Sequence, residues 1–269
     1  MEAQKEEKKI SLKTIMTYFV LTKHLILTSL ILSIGYILYS GMVLNIHNMR
    51  GSKIVNYLIL ALVEIPGNAI GSVAAQYFGR RLSSVAFAAL SAHFVMFFFV
   101  KLFLVQMGFW IFKIFYFTKK AFKKLKILVD PFVLAILCVL NKMFSGALVL
   151  IVYMQIGELF PTLMRATAYG VTGIVSLAAL IFIPPLIAMG NSNASLPYYI
   201  LFGIGLFGTL LCSFLPETLG QPLPQTIKEA LHIGKNQTYF SLVHKWNVHK
   251  YLSNQYYTKN FSKNHCTET

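Results

Sequence analysis

GELFPTLMRATAYG, residues 157–170, joins two apolar runs and decides how the chain is read. It sets an acid, a proline and a base within eight residues. A charged side chain at the centre of a bilayer costs roughly 2.5–3.5 kcal/mol on insertion scales. Glu158 and Arg165 therefore lie outside the lipid or are held together for a purpose. Pro161 fixes its own φ and pushes Phe160 away from helical backbone, so the stretch reads as a turn between two helices.

Working outward, the chain has 269 residues, 56% of them hydrophobic and only 12% charged. A soluble domain carries about 25% charged residues, so this is the composition of an integral membrane protein. The net charge is +15, but the bases sit in short patches between apolar runs and in the tail. That pattern suits anionic lipid headgroups and argues against a nucleic-acid partner. Cys138, Cys212 and Cys266 are far apart and form no disulfide framework. The polar, acidic start MEAQKEEKKISLK is not a signal peptide. A phosphate-binding loop, a nucleophile–base pair and a metal-ligand cluster are all absent from the sequence. The expectation is a non-enzyme without cofactor or metal.

A span needs about 20 mostly apolar residues. Six candidates follow, at 25–46, 54–78, 82–105, 131–156, 166–189 and 197–215, giving an all-α membrane fold. Residues 1–24 precede them and 216–269 follow as a tail, polar, basic and mobile from 231. Basic residues in short loops set orientation. Lys5, Lys8, Lys9, Lys13 and Lys23, then Arg80 and Arg81, then Arg165 and the tail lysines all fall on one side if six helices alternate. Both termini are then cytoplasmic. The base-free loop at 190–196 carries a glycosylation sequon at Asn193, which suits the opposite side; the sequon at Asn236 falls on the cytoplasmic side. Residues 106–130 break the pattern with Lys119, Lys120, Lys123, Lys124 and Lys126. They read as an insertion foreign to the fold. An interfacial amphipathic helix and a seventh span over 104–118 are the alternatives.

Three landmarks occur in order: YFGRRLS at 77–83, GELFPTLMR at 157–165 and LPETLGQPLPQTI at 215–227. All follow even-numbered spans. Together they resemble the C-terminal half of the major facilitator superfamily, and most closely its organic cation and organic anion transporter family; sugar porters are the nearest alternative. The resemblance covers about residues 10–230 without 106–130. It implies helices seven to twelve of a secondary transporter in the plasma membrane. Such proteins hold a small organic ion near the bilayer midplane between two rocking halves. An N-terminal half, or a second copy, is then an expected partner. A non-transporting truncated chain that pairs with other transporters is the competing reading.

The resemblance implies a cytoplasmic gate of Gly79, Arg80, Arg81, Glu158, Arg165 and Glu217. Relatives often carry an acid where Gln76 stands, so the local acid–base pair is lost here. VEIPGN, 63–68, puts Glu64, a Pro66 break and Asn68 inside the second span. An intramembrane acid is a functional candidate by default, with a hydrogen-bonded structural Glu as the plain alternative. Lys142, beside Asn141 in the fourth span, either faces the cavity, pairs with Glu64 or snorkels. Tyr36, Tyr39 and Ser40 are cavity candidates or packed residues. Leu177, beside Ser176, stands where relatives carry an aspartate or arginine that reads substrate charge. Asn68 likewise replaces a lysine of anion carriers, so two positions that would identify the substrate are gone and a simple anion exchanger is disfavoured. Either selectivity rests in the N-terminal half or the chain does not transport, and the resemblance makes an organic cation or zwitterion the expected substrate. Ala166, Gly170, Gly173, Ser176 and Ala179 make the fifth span rich in small residues, read as a packing face.

Overall fold

A computed structural model describes residues 12–43, 52–96, 131–189 and 196–233. The 106–130 segment, Asn193, Asn236 and the last part of the predicted third span lie outside them. All regular structure among the described residues is helical. After a short α1 (Leu12–Thr17), α2 runs from Phe19 to Val43, α3 from Lys53 to Leu62 and α4 from Glu64 to Tyr77. Residues 80–96 form α5. Then come α6 (Pro131–Leu159), α7 (Thr162–Ala179), a 3-10 turn (Leu180–Phe182), α8 (Ile183–Met189), α9 (Leu196–Ser213) and α10 (Ile227–His232). Five of these stretches are long and apolar enough to cross a membrane: Phe19–Gly41, Ile54–Tyr77, Ala135–Leu159, Thr162–Leu186 and Leu196–Ser213.

The first span begins earlier than the expected residue 25, because His24 is buried and only Lys23 of that polar pair is exposed. The second is two helices meeting at Val63. Pro66 has no N–H to donate to Leu62, so the ladder is interrupted there. Pro161 opens α7 with extended backbone, as its sequence position predicts.

Packing follows small residues, since lipid provides no hydrophobic drive between helices. A Cβ on Gly67 or Gly71 of α4 would stand 2.8 Å from Met143 or 2.9 Å from Ala147 of α6. With Ala75, these residues form a four-residue repeat that seats α4 on α6. Gly205 and Gly208 of α9 approach Ala92 and Ile34 as closely. Phe144 stacks on Phe87 and Phe94 of α5. Inner hydroxyls satisfy themselves on the preceding turn, as Thr28 does on the His24 carbonyl at 2.8 Å. The small residues of α7 behave differently. Its buried stripe is Met164, Ala168, Thr172 and Ser176, whereas a Cβ on Gly170 or Gly173 would meet nothing within 4 Å among the described residues.

Contact pairs give the direction of the bundle. Arg80–Glu158, Phe87–Phe144 and Ser91–Asn141 step oppositely along α5 and α6, so these helices are antiparallel. The α4 end, the α5 start, the α6 end and the α9 end therefore gather at one pole. Beyond it, Thr226 and Glu229 cap α10. The Gln225 N–H donating to Glu229, helped by the Thr226 hydroxyl, holds that carboxyl below the usual range.

Candidate functional site

Two polar sites are built on this bundle. The first is at the pole where the three landmarks meet. The guanidinium of Arg80 grips Glu158, with Nη2 3.0 Å and Nε 3.2 Å from Oε1, and donates to the Ala75 carbonyl at 2.6 Å. The Thr218 hydroxyl donates to the other oxygen of Glu158. Glu217 is buried and faces the start of α5. Its Oε1 accepts from the backbone N–H of Arg80, Thr218 and Leu219, and its Oε2 from that of Arg81, at 2.8–3.0 Å. A carboxylate is favoured there by the orphan N–H groups and the dipole of a helix N-terminus. Gly79 makes the approach feasible. Its φ is +97°, and a Cβ would lie 2.6 Å from Glu217 Oε2.

The resemblance grouped six gate residues, and the structure joins five of them: Gly79, Arg80, Arg81, Glu158 and Glu217. Arg81 contributes its backbone N–H, while its side chain donates to the Ser213 carbonyl. Arg165 is not drawn in. Its Nε and Nη2 are buried without a hydrogen-bond partner among the described residues. Thr218 was not anticipated, since a threonine in a loop carries no signal until the loop is folded. Gln76 is exposed and stands outside the network.

The second site is an open pocket of about 360 Å³ within the bundle, lined by Tyr36, Tyr39, Glu64, Asn68, Gly146, Val149, Leu150 and Tyr153. Glu64 Oε2 accepts from the Tyr39 hydroxyl at 3.0 Å and lies 3.8 Å from Lys142 Nζ. That ammonium also sits 4.8 Å from the centre of the Tyr39 ring, within cation–π reach. Behind it, Asn141 accepts from Ser91 and donates to the Leu38 carbonyl, tying α5, α6 and α2 together. Tyr36 and Tyr153 share a hydroxyl–hydroxyl bond of 3.1 Å across the pocket wall.

Glu64, Asn68, Lys142, Tyr36 and Tyr39 thus come together. Ser176 and Leu177 do not join them: Ser176 is buried on the Thr172 carbonyl at 2.6 Å, and Leu177 points outward, 59% exposed. Gly146 and Tyr153 were missed. Their spacing from Lys142, at i+4 and i+11, keeps them on one helical stripe and was the available signal.

Known proteins resemble the chain in this light. It is 28% identical to organic cation transporter 1 of Caenorhabditis elegans over 205 residues, 74% of this chain and 30% of that protein. It is 27% identical to human organic cation/carnitine transporter 2 over 205 residues, 75% of this chain and 31% of the relative. The chain is a homologue of the organic cation and carnitine transporters. A shorter stretch, 104 residues and 39% of this chain, is 39% identical to human solute carrier family 22 member 13, of which it covers 19%. The homologous region spans about a third of the length of the first and second of these relatives. No protein-family model matches the chain. Relationship to these carriers, together with five apolar helices of spanning length among the described residues, makes the chain a multi-pass integral membrane protein.

Proposed function

We propose that the chain forms the C-terminal six-helix half of a major facilitator secondary transporter for small organic ions, cations or zwitterions in particular. The observation that carries this reading is the convergence of three distant motifs on one charge network at one pole, with an aromatic, acid-bearing pocket deeper in the bundle. In this reading Arg80, Glu158 and Glu217 hold the cytoplasmic gate. Glu64, Asn68 and the tyrosines form one wall of the substrate cavity. Both termini are cytoplasmic, and the membrane is the plasma membrane.

The complementary half finds support in the uneven cover of the helices. The windows Ile54–Tyr77 and Thr162–Leu186 are each only 22% buried, against 61% for Phe19–Gly41. The open Gly170 and Gly173 lie on one of them. These faces suit a second six-helix body, from an N-terminal half or another copy. The same open faces favour the second reading, a non-transporting chain that pairs with other carriers.

Reconstitution in vesicles separates the two. Uptake of a labelled organic cation by the chain alone, or with an N-terminal half supplied in trans, and its loss in Glu64→Ala supports transport. Uptake no higher than that of Glu64→Ala under both conditions overturns it and leaves the pairing role.

A further inference from the structure

Glu64 presents its two oxygens unequally. Oε2 is taken by the Tyr39 hydroxyl and by the Lys142 ammonium. Oε1 has no hydrogen-bond partner among the described residues, and the side chain is 40% exposed on the pocket wall. Lys142 is its opposite: its side chain is only 9% exposed, it lies behind Glu64, and it does not line the pocket. A ligand entering the pocket meets a carboxylate edge and three tyrosine rings, while the compensating positive charge stays hidden.

We infer that Lys142 is a positioning residue that acts through Glu64: it pins one carboxylate oxygen and offsets part of the charge, so that a cation on the other oxygen is held loosely enough to leave. The inference rests on the organic-cation reading above. The physics is a balance of charges in a partly dry site. A bare carboxylate among aromatic rings would hold a monovalent cation tightly, because Coulomb attraction grows as water is excluded. A transporter gains nothing from binding that it cannot release. A buried ammonium 3.8 Å from the same group weakens the attraction without competing for space in the pocket. Lys142 also cannot serve an anionic substrate well, since its charge does not reach the cavity surface. The wall is therefore cation-reading despite containing a lysine.

The test measures binding and release of a fluorescent styrylpyridinium cation by the full chain in lipid nanodiscs, with an uncharged dye of similar shape as control. Lys142→Met is expected to bind the cation about tenfold tighter, with dissociation slowed to match, and the neutral dye unchanged. In an uptake assay the same variant lowers KM and kcat together. Lys142→Arg keeps the charge and covers the carboxylate with a forked donor, so its cation affinity falls about threefold. Glu64→Gln loses the preference for cation over neutral dye. A folded Lys142→Met that binds the cation no tighter than the unmodified chain overturns the inference and leaves the organic-cation reading standing. Should Lys142→Met fail to fold, Lys142→Arg decides, and unchanged or tighter binding there overturns it. Absence of organic-cation binding by the unmodified chain, both alone and with an N-terminal half supplied in trans, removes that reading and this inference together.

Discussion

Glu217 and Glu64 are both carboxylates inside the bundle, yet they are treated in opposite ways. Glu217 is 5% exposed, and four backbone N–H groups from two chain segments fill its oxygens. Glu64 keeps one oxygen open toward a cavity and shares the other between a hydroxyl and a lysine. A buried anion that accepts four backbone N–H bonds is a structural clamp; removing it leaves orphan donors. An anion left half-satisfied beside a cavity is available to a ligand. In the proposed reading, the contrast separates a pole that closes from a middle that binds.

The largest expected effect breaks the clamp. Glu217→Ala strands the N–H groups of Arg80, Arg81, Thr218 and Leu219, and should cost about 3–5 kcal/mol, the usual cost of stripping a partner from a buried charged site. Thermal unfolding in detergent should show this as a large drop in midpoint, whereas Glu64→Gln should move the midpoint far less. Equal shifts would erase the distinction. Next comes Gly79→Ala. It forces a side chain into left-handed backbone, and its Cβ would press on Glu217 Oε2. A loss of about 1–3 kcal/mol is expected, and a midpoint unchanged from the unmodified chain would show that the turn adapts freely.

Much of this division was legible before the structure, and the exceptions share one cause. Apolar runs located the helices, and charge asymmetry placed Arg80, Arg81 and Arg165 at one pole. Motif resemblance then brought Glu158 and Glu217 beside them. Sequence could not say which partners each base takes. Arg80 takes the Glu158 carboxylate, Arg81 takes the Ser213 carbonyl and, through its backbone N–H, Glu217, and Nε and Nη2 of Arg165 have no hydrogen-bond partner among the described residues. Those choices depend on where α9 ends over the α5 start, a tertiary fact with no local signature. Small residues misled for the same reason. Gly67, Gly71 and Ala75 pack on α6 while Gly170 and Gly173 meet no neighbour among the described residues, although both sets have helical spacing. Periodicity defines a face, but only the neighbouring helix decides whether that face is covered. Glu64 and Lys142 came out paired because an acid and a base in apolar spans have few other ways to be satisfied.

Arg80→Ala should have an intermediate effect. Its side chain is 12% exposed and that of Glu158 22%, so solvent relieves part of the loss. About 1–2 kcal/mol is expected, and in vesicles the variant should leak between inward-open and closed states, read as faster protease access to the 157–165 turn. Unaltered protease access would remove Arg80 from the gate.

The finest comparison removes one hydroxyl from each carboxylate. Thr218→Val deletes the donor on Glu158 Oε2, and Tyr39→Phe deletes the donor on Glu64 Oε2. Each loses a charge-assisted bond worth about 1.5–3 kcal/mol when nothing replaces it. Thr218 is 3% exposed but the Glu158 side chain is 22% exposed, so water replaces part of the bond and about 1 kcal/mol should be lost. Glu64 is 40% exposed in its side chain and borders an open pocket, where water can take the vacant position. Tyr39→Phe should therefore cost under about 1 kcal/mol in stability, with its ring still against Lys142. Unfolding midpoints of the two variants in the same lipid give the answer directly. A larger loss for Tyr39→Phe than for Thr218→Val would mean that Glu64 is clamped by its neighbours and not held ready for a ligand.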